Sequence, residues 1–522
     1  MREFIQKLPS IISVISNKGA VGKITIGLFL FFQPLIAQEQ PFIKTSGINF
    51  TLNDKPFYPV GVNCYYLQNL AAYGDTQKVV DIFREAKQNG VNVIRTWGFF
   101  DSPDSANPAV IQIAPGKISE RGLQALDFVI AKAGAYNIKL IIPLVNNWDD
   151  YGGMNQYVEW LAEQQTGKRT SLVENQKWIT GAGDRKYRMY VTDNLTHDEF
   201  YTNSVIKGWF KYYVQSILNR FNIYTQTFYK DDPSIMMWEL ANEPRSSDPT
   251  GGIVYNWIQE ISEYLKFIDN NHILGTGEEG MDVTSAPYSN ASKFPNWMFN
   301  GTSGISFSKN IKLSQIDAAS IHIYPESWGM NSSLTNAWII DHSTISGEKQ
   351  KPLIIGEVGF RNNKSLFYDV TFDQTLKSKA SGLLLWQISF PGNRFVDAYS
   401  FDCTTDPAIC GLIKRYSSLF ENRDTTQFSI PKSFEVIQNF PNPLDKRSMF
   451  TSMVTYRVQS ERFILLEVYN VIGQRVTVLA DHIHPAREYW ILFDGNELPS
   501  GAYFIMMRHS GGYSVKKILL LR

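Results

Sequence analysis

The sequence predicts an α/β protein in which a (β/α)8 TIM barrel is followed by a small C-terminal all-β sandwich domain. From about residue 44 to 420, short apolar runs alternate with amphipathic helical patterns, which is typical of this barrel. After Arg423 only short alternating runs joined by turns remain, as in a sandwich. A length of 522 residues suits one barrel-sized unit and one smaller module.

The predicted barrel strands are short and apolar, and helical patterns lie between them. The strands cover residues 58–63, 91–96, 139–146, 235–242, 272–277, 318–324, 353–358 and 382–388. Among the helical patterns, 76–88 is closed by Asn89 and Gly90, and 119–135 opens on a serine cap. A doubly wound parallel sheet is the alternative, but the sequence lacks the glycine-rich phosphate turn that usually follows its first strand.

Polar residues gather where a barrel places its chemistry, at or just beyond the C-terminal ends of these strands. They are Asn63, Arg95, Asn146, Asn147, Asn242, Glu243, Glu279, His322, Tyr324, Glu357 and Trp386. Any one of them alone could be a surface loop residue. Because the carboxyl ends of barrel strands converge on one face, their shared position predicts one site there.

The C-terminal region predicts a separate domain without long helices. Short strands are expected at 453–457, 463–469 and 502–508, with turns at Gly473 and Gly501. The predicted organisation is a barrel over residues 44–420, a linker over 421–429 and a β-sandwich over 430–522.

The first 37 residues are predicted to be a signal peptide. Basic residues from Arg2 to Lys23 precede an apolar run over 24–35, and the small residue Ala37 follows. The apolar run is shorter than the ~20 residues of a spanning helix, which disfavours the alternative of a membrane anchor. We therefore expect export and cleavage after Ala37.

Composition excludes some functional classes. Lysine plus arginine and aspartate plus glutamate both number 50, so the net charge is zero, which argues against nucleic-acid binding. Cys64 is expected to be a buried thiol, whereas Cys403 and Cys410 either form a disulfide or stay free. Cysteine spacing and the few histidines give no zinc pattern, so neither a metal nor a cofactor is expected.

Two glutamates at strand ends carry the predicted chemistry. Glu243 lies in the run 238–245 and Glu357 in the run 353–360, on the fourth and seventh strands. Burial disfavours an ionised carboxylate, and a carboxyl group that keeps its proton is what a general acid needs. Two carboxyl groups facing each other across a barrel mouth suit glycoside hydrolysis. The alternative for either glutamate alone is a structural ion pair.

Several separated segments resemble one enzyme family. Residues 238–245 and 355–360 resemble the acid/base and nucleophile strands of glycoside hydrolase family 5, a retaining clan with a (β/α)8 fold. The segments that narrow the resemblance to endo-β-1,4-mannanases are 57–66, 93–97, 144–148 with 151–153, 198–201, 277–280 and 322–328. The resemblance covers nearly the whole span from 44 to about 400, in the family's order.

The resemblance implies roles for the residues at the strand ends. Glu243 would be the acid/base and Glu357 the nucleophile, and Asn242 would hydrogen-bond the sugar's 2-hydroxyl group, a contact that strengthens in the transition state. Arg95 and Tyr324 would hold Glu357 ionised. The full predicted substrate-binding set is Arg95, Trp97, Asn147, Asn242, Glu279, His322, Tyr324 and Trp386.

Four further expectations concern neighbours of these residues. His322 would lie beside the acid/base, with a core histidine as the alternative. The candidate sugar platforms are Trp97, Trp148, Trp160, Trp328 and Trp386, with Trp386 placed beside the cleaved bond. Glu239 should point away from the pocket by strand alternation and be structural. The segment 391–412, which contains Cys403, Asp406 and Cys410, departs from the family pattern.

The tail has a resemblance of its own. Segments 438–443, 468–473 and 498–504 and the closing run 516–521 resemble the type IX secretion sorting domain of Bacteroidota and their relatives. This implies a bacterial protein that crosses the outer membrane and is released or attached to the cell surface. A small carbohydrate-binding module is the alternative.

Three functions compete. The first is a secreted retaining endo-β-1,4-mannanase that acts on mannan, glucomannan or galactomannan, with the polysaccharide and the secretion machinery as partners. The second is a β-1,4-glucanase on the same barrel. The third is a carbohydrate-binding protein that has lost catalysis, which the presence of both glutamates disfavours.

Overall fold

The computed structural model describes most of the chain after its N-terminal segment. The described residues are 41–167, 178–180, 186–189, 191–192, 194–423, 433–446, 450–484 and 487–522. The predicted signal peptide, 1–37, lies outside the described residues, and so does the predicted linker after residue 423. The predicted domain boundaries remain predictions.

Eight parallel strands form one closed sheet, which confirms the predicted barrel. They are β1 (Val60–Asn63), β2 (Val93–Arg95), β3 (Lys139–Pro143), β4 (Ile235–Glu239), β5 (Ile273–Gly275), β6 (Ala319–Ile323), β7 (Leu353–Val358) and β8 (Gly382–Leu385). Hydrogen-bonded neighbours run β5-β4-β3-β2-β1-β8-β7-β6. The gap between β5 and β6 is bridged by backbone bonds from Asp317 N, at 2.8 Å, and Ala318 N, at 3.4 Å, to Leu274 O.

Several predicted strands end earlier in the structure than in the sequence analysis. The prediction for β7 has the observed bounds, whereas β4 ends at Glu239 and not at Asn242. Beyond β4 the chain keeps single contacts with its neighbours: Asn242 N donates to Val145 O at 2.7 Å, and Glu243 N donates to Gly277 O at 2.8 Å. These residues therefore leave the regular ladder and line the barrel mouth.

Helices cover the outside of the barrel. The α-helices are Leu67–Ala72, Thr76–Gln88, Glu120–Tyr136, Gly153–Thr166, Glu199–Thr202, Ser204–Leu218, Gly252–Ile268, Phe307–Asn310, Pro325–Trp328, Ser332–Glu348, Lys364–Ser378 and Pro407–Glu421. The helix 76–88 has its predicted bounds, and the cap at Ser119 is present, since its hydroxyl accepts from Gly122 N at 3.3 Å. Each longer helix buries an apolar stripe, for example Ile206, Phe210 and Val214 on Ser204–Leu218.

The barrel interior has an apolar layer below a polar one. The apolar layer includes Val93 of β2 and Met237 of β4, and a hairpin that carries Phe50 packs against it. Two residues further along the same strands, Arg95 and Glu239 are fully buried. Side chains two residues apart on a strand face the same side of the sheet, so Arg95 and Glu239 also point into the barrel, directly above the apolar layer.

The C-terminal region is all-β, as predicted. Its strands are β9 (Glu435–Phe440), β10 (Thr451–Val458), β11 (Arg462–Asn470), β12 (Arg475–His484), β13 (Arg487–Asp494), β14 (Gly501–His509) and β15 (Gly512–Leu520). They form two antiparallel sheets, β9-β10-β13 and β12-β11-β14-β15. Buried apolar residues from both sheets, such as Val454 and Ile505, form one core, which is the arrangement of a sandwich.

Two smaller features settle open points of the sequence analysis. Cys403 and Cys410 form a disulfide, and Cys64 is a buried free thiol. Within the part of the chain that the structure describes, every helix is too short or too polar to cross a bilayer.

Candidate active site

The barrel mouth brings Glu243 and Glu357 together. Both side chains are fully buried. One carboxylate oxygen of Glu243, one of Glu357 and a ring nitrogen of His322 all lie within 4.8 Å of one another. Glu243 has a left-handed backbone, with φ 51°, directly after β4. Such a conformation is costly for a non-glycine residue and is often found at functional sites. The turn therefore aims Glu243 across the mouth at β7.

Glu357 is held by a cation and a hydroxyl group. Arg95 Nη1 donates to its Oε1 at 2.7 Å, and the Tyr324 hydroxyl donates to its Oε2. All three side chains are buried, so solvent does not screen these contacts. A fixed cation and a hydroxyl donor both stabilise a carboxylate in its ionised form.

Glu243 has a different set of partners. His322 Nδ1 lies 2.7 Å from its Oε1, and the Trp148 indole N–H donates to its Oε2 at 2.5 Å. The same imidazole nitrogen is 3.6 Å from Glu357 Oε1, so it lies between the two carboxylates. Neither of these two hydrogen-bond partners is a permanent cation, whereas Glu357 accepts directly from an arginine; the charges of Arg95 and Arg245 act on Glu243 from a greater distance. The two carboxyl groups thus occupy electrostatically different environments, which suits a division between acid and nucleophile.

Arg95 organises the lower part of the site. Its Nε donates to Glu239 Oε2 at 2.8 Å, and its Nη2 donates to Asn242 Oδ1 at 2.8 Å. Burial disfavours the charge of the guanidinium, but Glu239 and Glu357 outweigh that effect, so the pKa of Arg95 is raised above its ordinary value. Asn242 Nδ2 donates one hydrogen to Asn146 Oδ1 at 3.0 Å, which leaves its second N–H for a ligand.

Glu239 corrects one prediction. It was expected to point away from the pocket, but it points into the barrel beneath it and binds Arg95. The outward residue of this strand is its neighbour Trp238, whose indole N–H donates to Asp269 in the surrounding helical layer at 2.8 Å. Side chains along β4 do alternate between the two sides of the sheet, as expected. The inward side, however, carries Met237 and Glu239.

Glu279 and Asn147 are part of a second buried network beside the acid/base candidate. Arg245 binds Glu279 through two hydrogen bonds, of 2.7 and 2.8 Å, and Glu279 is only 3% exposed. Burial raises the pKa of Glu279, and Arg245 opposes this rise. Asn147 Oδ1 accepts from Arg245 N at 3.1 Å and contacts His197. The carboxylate predicted to contact sugar is thus already engaged by arginine.

An aromatic cavity opens beside Tyr324, the tyrosine that holds Glu357. Its volume is about 220 Å³, and it is lined by Tyr65, Trp97, Asp150, Tyr151, Trp386, Asp397 and Tyr399. The Trp386 and Tyr65 rings are parallel at 5.6 Å, and the Tyr324 ring that holds Glu357 lies 6.5 Å from Trp386. Two of the predicted sugar platforms, Trp97 and Trp386, therefore line one cavity, and their contact with sugar stays a prediction.

The other candidate platforms are placed differently. Trp148 is completely buried and serves Glu243 as a hydrogen-bond donor, so its prediction as a platform is wrong. Trp160 and Trp328 are 5% exposed and pack against other aromatic rings, Trp160 against Tyr157 and Trp328 against Trp338. An indole at the end of a strand can face the mouth or the core, and spacing alone does not distinguish the two.

Sequence reasoning missed five residues that line the cavity, namely Tyr65, Asp150, Tyr151, Asp397 and Tyr399. Tyr65 and Tyr151 lie in segments that carried the family resemblance, but only tryptophans were considered as platforms. Asp397 lies in the segment 391–412 that departs from the family pattern, and its Oδ2 accepts from the Trp386 indole N–H at 2.7 Å. This unusual segment thus helps to orient the platform.

Glu278 gives a prediction of pH-dependent stability. It is fully buried, with Thr276 donating at 2.8 Å, and burial raises its pKa from 4.5 to about 8. Between pH 4.5 and about 8, Glu278 therefore keeps its proton in the folded state but loses it in the unfolded state. The contribution of Glu278 to the free energy of unfolding falls as the pH rises through this range. Glu278→Gln is expected to stabilise the protein at pH 9 by roughly a few kcal/mol, with little change at pH 4.

Urea unfolding at both pH values tests this prediction. The substitution keeps an acceptor for Thr276, and Asn310 Oδ1, which has no hydrogen-bond partner among the described residues, can accept from the new amide. An equal change in unfolding free energy at pH 4 and pH 9 would show that Glu278 does not titrate in this range.

Comparison with known proteins places the chain in a family. Residues 40–385 match the family model described as GH family 5 beta-mannosidase-like. The chain is 34% identical over 404 residues to mannan endo-1,4-beta-mannosidase 3 of Arabidopsis thaliana, a match that covers 73% of this chain and 90% of the relative. It is 33% identical over 404 residues to mannan endo-1,4-beta-mannosidase 2 of Oryza sativa subsp. japonica, covering 73% and 84%.

Solved structures agree with this placement. The endo-beta-1,4-mannanase from Thermotoga petrophila superposes with a TM-score of 0.67 at 26% identity, covering 90% of this chain and 98% of its own. The endo-1,4-beta-mannanase from Rhizomucor miehei superposes with a TM-score of 0.61 at 32% identity, covering 73% and 99%. A barrel that carries this pair of carboxylates and these relatives has one consistent assignment: the chain belongs to glycoside hydrolase family 5, in its β-mannosidase-like group, and is a glycoside hydrolase.

Proposed function

We propose that this protein is a secreted retaining endo-β-1,4-mannanase. The observation that carries the mechanism is the short separation of Glu243 and Glu357, an oxygen of each lying within 4.8 Å of the other. Retaining enzymes hold their carboxyl groups ~5–5.5 Å apart, whereas inverting enzymes leave ~6.5–9.5 Å for a water molecule. Oxygens of the two carboxyl groups that lie no more than 4.8 Å apart support direct attack by a carboxylate over a gap that holds a water molecule.

In the first step Glu357 acts as the nucleophile. Its carboxylate, held by Arg95 and Tyr324, attacks the anomeric carbon as the glycosidic bond breaks. Glu243 delivers its proton to the departing oxygen, so the leaving chain departs as a neutral alcohol. The products of this step are a mannosyl ester on Glu357 and an ionised Glu243.

In the second step the roles of Glu243 reverse. Its carboxylate takes a proton from water, and the water oxygen bonds to the anomeric carbon while the ester bond to Glu357 breaks. Two inversions at the same carbon restore the original configuration. His322 Nδ1 and the Trp148 indole N–H stabilise Glu243 in the ionised state that it holds between the steps.

Mannan as the substrate is supported by the relatives and by the groups around the nucleophile. The curated relatives are named as mannan endo-1,4-beta-mannosidases. The free N–H of Asn242 is available to the sugar's 2-hydroxyl group, and Arg95 fixes the amide that carries it. Trp386 lines the aromatic cavity and supplies an indole ring on which a pyranose can stack.

A substrate panel tests this assignment. Purified protein is incubated with galactomannan, glucomannan, carboxymethylcellulose and manno-oligosaccharides, and reducing ends and product lengths are measured. We expect cleavage of both mannans into mixed oligosaccharides and no release from carboxymethylcellulose. Cleavage of carboxymethylcellulose alone would establish the glucanase alternative, and release of mannose alone from chain ends would refute endo action.

We further propose that the C-terminal β-sandwich directs secretion through the type IX pathway. The proposal is supported by the sorting-type motifs at 468–473 and 498–504 and by the residues 1–37, which have the pattern of a signal peptide. Expression of the full chain in a Bacteroidota host with an intact or disabled type IX system tests it. Mannanase activity should reach the medium or cell surface only in the intact host, and equal export from both hosts would refute the proposal.

A further inference from the structure

Glu239 is a buried carboxylate with no role in the proposed two-step reaction. It forms an ion pair with Arg95 at 2.8 Å, and both side chains have no solvent exposure. Its second oxygen is 3.4 Å from the Ser320 hydroxyl group. Desolvation of two charges largely cancels their attraction, so a buried ion pair is weak support for stability. Stability alone therefore does not explain Glu239, and the other contacts of its partner Arg95 indicate its role.

Arg95 contacts two groups that meet the substrate in the proposed mechanism. Its Nη1 donates to Glu357 Oε1 at 2.7 Å, and its Nη2 donates to Asn242 Oδ1 at 2.8 Å. Guanidinium N–H bonds lie in one plane with fixed directions. Once Glu239 holds the Nε–H, the directions of the other N–H bonds are also set. The position of the nucleophile and the orientation of the Asn242 amide then depend on Glu239.

We propose that Glu239 is a positioning residue of the glycosidase reaction. It locks Arg95 so that one guanidinium aligns Glu357 and the Asn242 amide, and its charge offsets part of the field that Arg95 exerts on Glu357. The inference rests on the proposed function, in which Glu357 is the nucleophile. It adds to that function a residue that touches neither the substrate nor the reacting atoms.

The charge effect has a definite sign. The ionisable or polar groups that face Glu357 or Arg95 include Asn63 from β1, Glu239, Asn242 and Glu243 from β4 and the turn after it, and His322 and Tyr324 from β6 and its end. Arg95 is the permanent cation among them, and Glu239 partly neutralises it. Without the charge of Glu239, Arg95 would act on its other partners with its full positive charge, and a nearby cation favours the charged form of a carboxylate.

A purely structural role predicts something else. Glu239 fits closely among glycines, since an added Cβ at Gly277 would stand 3.2 Å from its Cβ and one at Gly275 would stand 3.7 Å from its Cγ. If filling this space were its only task, Glu239→Gln would change neither the pH dependence nor the use of the 2-hydroxyl group. Loss of activity would then follow only the loss of folded protein.

The experiment compares Glu239→Gln, Glu239→Leu and the control Glu278→Gln, another buried glutamate, which contacts Thr276 and Asn310. Two quantities are measured for each folded variant. One is the pH profile of kcat/KM on an aryl β-mannobioside. The other is the ratio of the rates for two substrates, the aryl β-mannobioside and an analogue of it. In the analogue, the mannose bonded to the aryl group lacks its 2-hydroxyl group. Trapping with a 2-fluoromannosyl fluoride counts active molecules, so that unfolded protein does not distort the rates.

For Glu239→Gln we expect the acidic limb of the pH profile to move down by about one unit. For Glu239→Leu we expect the ratio of the rates with and without the 2-hydroxyl group to fall by about tenfold, because Arg95 no longer orients Asn242. Glu278→Gln should match the wild-type protein in both readouts. If Glu239→Leu does not fold, the pH profile of the near-isosteric Glu239→Gln decides.

Two further results would separate this inference from the proposed function. An unmoved acidic limb in Glu239→Gln, together with retention of configuration by the wild-type protein, would overturn the role of Glu239 alone. Inversion by the wild-type protein would overturn the proposed mechanism and with it this role.

Discussion

Replacing Glu357 with alanine is expected to lower kcat on mannan by roughly 10⁵-fold or more, because no other carboxylate can form the glycosyl ester. The space left beside Arg95 and Tyr324 can admit a small anion. Azide should therefore restore cleavage of an aryl β-mannobioside and give an α-mannosyl azide as the product. Its α configuration follows from one inversion, since azide attacks from the side that Glu357 occupied. Chromatography and NMR of the azide product provide the measurement.

Glu357→Gln is the matched control for this experiment. It removes the nucleophile but fills the same space, so we expect the same loss of activity without rescue by azide. Thermal unfolding of both variants establishes that they are folded. A Glu357→Ala protein that is folded and keeps more than about one per cent of wild-type activity would exclude Glu357 as the nucleophile.

Replacing Glu243 with alanine is expected to lower activity on mannan by about 10³-fold, within the usual contribution of a general acid. The loss should depend on the leaving group. A 2,4-dinitrophenyl mannobioside needs no proton to depart, so its first step should remain fast, and the glycosyl-enzyme should accumulate because no base activates water. Burst kinetics at 400 nm should detect this accumulation.

The configuration of the azide product distinguishes Glu243→Ala from Glu357→Ala. In Glu243→Ala the nucleophile is intact, and azide that attacks the ester on Glu357 should give a β-mannosyl azide after two inversions. An equal loss of activity on mannan and on the dinitrophenyl substrate would mean that Glu243 is not the proton donor. Glu278→Gln should behave like the wild-type protein on both substrates.

The sequence predicted what depends on local pattern. The eight barrel strands and the two glutamates that follow apolar runs were all recognisable, because alternation of strand and helix and the position of a polar residue at a strand end are visible in a single segment. The structure then brought Glu243 and Glu357 to the same mouth, as the barrel topology requires.

Contacts across the barrel were harder to predict. Glu279 pairs with Arg245, and its predicted contact with the substrate stays a prediction. Trp148 was expected to contact sugar but donates to Glu243. Glu239 was expected to face away but binds Arg95. Each error concerns which side of a strand or turn faces the interior, and this depends on register and on partners from other strands that a local pattern does not contain.

The anomeric configuration of the first product tests the central claim most directly. Wild-type protein is added to mannopentaose, and proton NMR spectra of the anomeric region are recorded within the first minutes, before mutarotation mixes the anomers. If Glu243 and Glu357 act as proposed, the newly formed reducing ends appear first as the β-anomer, and the α-anomer grows only later. Immediate appearance of the α-anomer would contradict a covalent intermediate on Glu357 and the proposed division of roles between the two glutamates.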